Sequence, residues 1–208
     1  MNRNEIILMT EEFVRQRMNG YDSGHDWWHI ERVRRIAKFI NEQEALADPF
    51  TLEIAALLHD SADSKFAGND IGDGYATIEE FLINAGLNEI KDQVMEVILN
   101  VSFSKKNPSG NLTDPVLVIL QDADRIDAIG AIGIARAFNY GGFRNNAIYV
   151  PDDKPHSNVH STIGHFYEKL LKLKDMMNTS TGRRMAEERH LYLENYLKQF
   201  YKEWNADT

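Results

Sequence analysis

Apolar residues recur three and four positions apart through most of the 208-residue chain, and few stretches alternate in the way a half-buried strand would. The pattern predicts an all-α protein with helices over about 3–18, 26–43, 50–61, 75–86, 89–100, 114–138, 161–177 and 181–204. Asp48-Pro49, Asp73-Gly74 and Thr113-Asp114-Pro115 supply plausible starts, each placing a capping residue or a first-turn proline at a helix beginning. Three irregular stretches separate the helices: Ser64 to Gly74 with three glycines, Val101 to Thr113 with Pro108 and Gly110, and Tyr140 to Asn158 with two prolines and a glycine pair. The last is the longest, and reads either as a lid or as a passive surface connection.

None of these stretches has the length or polarity of an interdomain linker, and neither repeats nor low-complexity tracts occur. The expectation is a single domain over 1–208, with a core of about 24–138 and C-terminal helices of about 160–205 packing on it. Lys and Arg total 23 against 32 Asp and Glu, for a formal charge of −9, which argues against a nucleic-acid partner but not against a free nucleotide. Absence of cysteine excludes disulfides, thiolate zinc sites and a cysteine nucleophile, and fits a reducing compartment. The N-terminus carries acids early and only a short apolar patch, Ile6 to Met9, and no stretch approaches the roughly 20 apolar residues of a membrane span, so a cytoplasmic protein is expected. A homodimer is left open.

Chemistry enters with a His-Asp pair. His59-Asp60 closes the apolar run from Phe50 to Leu58. Upstream, Val33, Ile36, Ala37 and Ile40 define the inward face of the second helix, and His29 lies four residues before Val33 on that side. Downstream, the helix beginning at Pro115 is apolar nearly all round, yet Asp122, Asp124 and Asp127 interrupt it. An uncompensated buried carboxylate costs several kcal/mol, so such acids imply a cation, whether metal, arginine or lysine. Singly, each residue reads as ordinary structure: a hydrogen-bonded core histidine, a helix end, an arginine partner. Together, His29, His59, Asp60 and Asp124 read as a mixed nitrogen and oxygen site for a divalent ion that keeps positions open for water and phosphate.

These residues resemble the HD superfamily of metal-dependent phosphohydrolases, whose metal ligands fall on His29, the doublet His59-Asp60, and Asp124. Longer segments are similar to the small bacterial YpgQ-like and YedJ-like members: Ser23 to His29, Gln121 to Arg125 and on through Arg136, and His165 to Leu171. The resemblance implies an all-α HD-type bundle with the metal site between helices and one divalent metal, manganese first, with magnesium, cobalt, nickel or iron as other candidates. For the YpgQ-like members it implies hydrolysis of nucleoside triphosphates to monophosphate and pyrophosphate. Family subtypes with two or three metals recruit extra histidines after the doublet, and no histidine occurs from Asp60 to Pro155, so a mononuclear site is implied.

Around the ligands stand candidates for the remaining chemistry. Asp63, three residues beyond Asp60, is placed to manage a proton, with Lys65 as its companion, and the related hydrolases' motif carries the same suggestion to both. Arg32 lies beside the inward face of its helix and could clamp a phosphate, whereas Arg34 and Lys38 read as a solvated basic face. His25 reads as a substrate contact or a partner to a ligand, and Asp127 either orients ligands, contacts a sugar hydroxyl, or pairs with Arg125 or Arg136. Lys169 could bind a polyphosphate or belong with Lys172 and Lys174 to a charged outer face. Trp27 and Trp28 read as core or as a base-stacking pair, and His156 and His160 stand in or beside the candidate lid. The leading expectation is a nucleotide phosphohydrolase. The alternatives are a phosphomonoesterase, a guanosine alarmone hydrolase, or a non-catalytic module that binds metal or nucleotide without turnover.

Overall fold

The computed structural model describes residues 1–18, 26–62, 71–101, 113–151 and 161–207. Among these the protein is all-α: Arg3–Arg17 (α1), Trp27–Glu44 (α2), Pro49–Leu58 (α3), Ile71–Asn84 (α4), Asn88–Asn100 (α5), Pro115–Asp127 (α6), Gly130–Phe143 (α7), Thr162–Glu168 (α8), a 3₁₀ segment Leu170–Met176, and Ser180–Trp204 (α9). Extended pairing among them is limited to one bridge, Ala147 with Ser161. No helix of the described residues is long and apolar enough to cross a membrane.

Backbone contacts divide the chain into two compact units, Met1–Ala123 and Asp124–Thr208. In the first, α3 is the centre. Every residue from Thr51 to Leu58 is buried, as expected of a helix apolar on all sides, and α1, α2 and α5 pack around it while α4 packs on α5. Asp48 caps α3, accepting the backbone N–H of Thr51 at 2.8 Å and its hydroxyl at 2.9 Å, with Pro49 in the first turn. The Thr51 N–H holds the Asp48 carboxyl below its ordinary pKa; partial burial opposes this, and the Thr51 hydroxyl and Arg3 add to it. A depressed folded-state pKa gives stability that is complete above the unfolded value and lost as pH falls through the folded one. Asp48→Ala should therefore lower stability by about 1 kcal/mol at neutral pH, with the gap from wild type closing in acid, as chemical denaturation across a pH series would show.

In the second unit α9 packs against α7 and the 3₁₀ segment, and α8 against both of these. Ala186, Leu193 and Leu197 form the buried stripe of α9. Tyr196 of that helix stacks on Phe166 of α8 at 6.0 Å between ring centroids, and Phe138 of α7 meets Phe166 at 6.0 Å.

Two long helices expected from periodicity are each broken. The 114–138 segment turns between α6 and α7, where Ile129 is extended and Gly130 adopts φ +76°. A Cβ on Gly130 would also stand 3.0 Å from Cγ of Arg189, whose Nη1 donates to the Ile126 carbonyl at 2.6 Å near the end of α6. The 161–177 segment breaks at Lys169 into α8 and the 3₁₀ segment. Phe166, Leu170, Leu173 and Met177 remain buried across the break, and over so few residues a repeat of 3.6 is indistinguishable from one of 3.0. Helix α3 ends at Leu58 rather than at position 61, α4 begins at Ile71 inside the expected loop, and α7 runs to Phe143 into the expected lid, whose residues 152–158 lie outside the described residues.

Candidate metal centre

Two helix ends and one helix body present the ligand candidates. Asp26 caps α2, its Oδ1 accepting the N–H of His29 at 2.8 Å, so the cap and the histidine belong to one rigid turn. Buried Ile30, Val33, Ala37 and Ile40 seat that helix in the core, and His29 is buried with them at 1% exposure. His59 stands at the C-terminal end of α3, where the last carbonyls favour a cation. Its Nδ1 donates to the Ala56 carbonyl at 2.8 Å, which assigns the ring proton and turns the Nε2 lone pair outward.

The boundary between the two units falls inside α6, between Ala123 and Asp124, and the helix is continuous across it. Its first turns are anchored in the first unit: Gln93 donates to the Asp114 carboxylate at 2.8 Å and Gln121 to the Asn100 carbonyl at 3.1 Å.

One atom each from His29, His59 and Asp124 lie within 4.8 Å of one another. The two Nε2 atoms are 3.3 Å apart, and Asp60 stands beside them with Oδ2 3.5 Å from Nε2 of His29. Donors about 2.1 Å from a shared ion stand about 3.0 Å apart at a right angle, so the nitrogen pair has the spacing of neighbouring ligands. Two imidazoles with nearby carboxylates suit a divalent ion of intermediate hardness. The residues fit a metal.

Because Asp26 orients the turn that carries His29, Asp26→Ala should cost about 1 kcal/mol of stability and weaken metal affinity by about 10-fold, as loss of a ligand-orienting partner does. Asp26→Asn, which retains a cap acceptor, should stay near wild type in both thermal melting and metal titration.

Other candidates are placed as follows. Lys169 is half-buried, unlike exposed Lys172: burial pushes its pKa down, the charge of Asp124 pushes it back up, and Arg136 pushes it down again. Asp127 is buried at 1% exposure with Oδ2 2.7 Å from Nη1 of Arg136, the arginine pairing that its position allowed. Arg32 is half-buried one turn beyond His29. His25, Asp63, Lys65, His156 and His160 lie outside the described residues. The tryptophan pair divides: Trp27 is buried under the Arg15 guanidinium, 3.7 Å from the ring centroid, while Trp28 is 62% exposed.

Arg34 departs from the solvated face expected of it. It donates to Glu53 at 2.6 Å and 2.8 Å, to Glu11 at 2.6 Å and to Glu31 at 3.3 Å, and Lys38 adds a contact to Glu53 at 3.1 Å. The reason is Glu53, a carboxylate on the buried central helix that requires a cation. Burial alone would lower the Arg34 pKa, but the hydrogen bonds to Glu53 and Glu11 reverse this and leave it raised.

An HD domain model matches residues 27–129, a span that contains His29, His59, Asp60 and Asp124. The curated protein YpgQ of Bacillus subtilis (strain 168) is 39% identical over 92% of this chain and 90% of its own. Among solved structures, a Bacillus thuringiensis HD-superfamily hydrolase is 40% identical, with 99% of this chain and 100% of that one covered and a TM-score of 0.79. The structure of Bacillus subtilis YpgQ in complex with ADP is 36% identical, with 95% and 97% covered and a TM-score of 0.76. The likeness thus runs through nearly all of the chain and includes the His-Asp doublet, and the protein belongs to the HD superfamily of metal-dependent phosphohydrolases.

Proposed function

We propose that the protein hydrolyses nucleoside triphosphates to the monophosphate and pyrophosphate, with manganese as the preferred ion. The observation that carries the reading is the convergence of His29, His59 and Asp124 within 4.8 Å, and the binding of ADP by the YpgQ relative supports a nucleotide as the ligand. His29, His59, Asp60 and Asp124 would hold the metal. When bound, such an ion neutralises charge on phosphate oxygens and acidifies a water.

The chain's own residues divide the rest. His59 keeps its Nδ1 proton on the Ala56 carbonyl and so stays an Nε2 donor throughout. Lys169 supplies a cation beside Asp124 for the polyphosphate, and Arg32 offers a fork of donors for a second phosphate. Asp63 takes up or returns the proton of the attacking water, assisted by Lys65. His25 and Asp127 would contact the substrate, the latter from its pairing with Arg136.

The test is anion-exchange chromatography of the products from a nucleotide panel incubated with manganese-loaded protein. Monophosphate and pyrophosphate in equal amounts are expected. Orthophosphate from monophosphates would assign a phosphomonoesterase, pyrophosphate only from a guanosine alarmone would assign an alarmone hydrolase, and nucleotide binding without any product would assign a regulatory module.

A further inference from the structure

A cavity of about 200 Å³ opens in the second unit, lined by the last turns of α7, the segment after it, and α8. Its walls are held by the backbone. Asn146 N–H donates to the Gly141 carbonyl at 2.9 Å, Thr162 N–H to Ala147 at 2.9 Å and Ile163 N–H to Ile148 at 3.0 Å. Gly141 packs so closely on the Thr162 hydroxyl that a Cβ there would collide with it.

The shape therefore does not depend on five of the polar side chains that line the space: Tyr140, Arg144, Asn146, His165 and Glu168. None of the five uses its side chain in a hydrogen bond among the described residues. Their charges cancel. Arg144 opposes Glu168, and burial pushes the His165 pKa down, reinforced by the neighbouring charge of Lys169 and only partly offset by Glu168, so the ring is neutral at neutral pH with one donor and one acceptor nitrogen.

A net-neutral pocket is a poor place for a polyphosphate, which needs concentrated positive charge. The same side chains suit a nucleoside. An aromatic face can stack on a base, a carboxylate accepts from sugar hydroxyls, and a carboxamide with a neutral imidazole can read donor and acceptor groups on a base edge. Along α8, His165 and Glu168 face the cavity, and Lys169 follows them directly in the chain.

We propose that this cavity holds the nucleoside portion of the substrate and sets its selectivity, with Tyr140 stacking on the base and Glu168 accepting from the sugar. The inference rests on the nucleotide reading above. It is tested by steady-state kinetics on Tyr140→Ala and Glu168→Gln, with inorganic triphosphate, which has no nucleoside, as a competing ligand. Both variants should raise KM for the preferred nucleoside triphosphate by about tenfold while kcat and the inhibition constant of inorganic triphosphate stay near wild type. An unchanged KM, or an equal loss of affinity for inorganic triphosphate, overturns the proposal.

Binding is read independently by NMR of the His165 ring in the wild-type protein. An α,β-methylene nucleoside triphosphate should shift its resonances, and saturating inorganic triphosphate should not. If the wild-type protein releases pyrophosphate from no nucleotide, the nucleotide-hydrolysis reading fails. The cavity is then judged by this titration alone, and a His165 signal indifferent to the nucleotide analogue overturns it as well.

Discussion

Asp124→Asn is expected to strip most of the bound metal and to lower kcat/KM by more than about 100-fold, since even a partner one step removed from a metal ligand is worth 10–100-fold. Asparagine preserves the volume and the helix, but it takes away the only carboxylate in the group of three close donors. The loss should appear in metal content after dialysis, measured by mass spectrometry, as well as in turnover. Far-ultraviolet circular dichroism and melting temperature should match a metal-free wild-type sample, which separates a ligand defect from a folding defect. Wild-type metal content and rate in this variant would remove Asp124 from the centre.

Arg34→Met should produce the largest loss of stability, about 3 kcal/mol by urea unfolding, because removing one member of a buried ion network leaves its partners desolvated without compensation. Among the described residues Glu53 would keep only Lys38, whose side chain is 45% exposed, and Glu11 and Glu31 would lose their shared guanidinium. The figure is taken at the low end of the range for buried pairs, since Arg34 retains 15% of its side-chain exposure. Its neighbour provides the comparison. Arg35 pairs with the same Glu31 at 2.7 Å but is 74% exposed, so Arg35→Met should change stability by less than about 0.5 kcal/mol. Equal effects from the two substitutions would show that the Arg34 network is no more than a solvated surface cluster.

These two cases mark where sequence reasoning succeeds and where it stops. His29 was legible as an inward residue because Val33, Ile36 and Ile40 share its face at helical spacing. Asp124 was legible because an acid in a helix apolar nearly all round calls for a cation. Glu53 obeys the same rule, but the run from Phe50 to Leu58 hides one acid among many apolar residues, and its partners lie 19 and 15 positions away, at Arg34 and Lys38. Asp26 could have been noticed as an acid three residues before His29, the spacing of a capping residue to the N–H it accepts. The break before α7 had its signal in Gly130, but periodicity persists through an all-apolar segment whether or not the chain turns. The cavity beside α8 had none, since its lining is drawn from positions 137 to 168 and no spacing rule joins Tyr140 to His165.

By itself the sequence determined the all-helical class, the inward faces, and the residue types able to bind a divalent ion, because helical periodicity and side-chain chemistry are local properties of the chain. Tertiary structure decided which donors meet, and that Arg34 serves a buried carboxylate instead of solvent. Those outcomes depend on distances between helices remote in sequence, and such distances are set by packing rather than by any local preference.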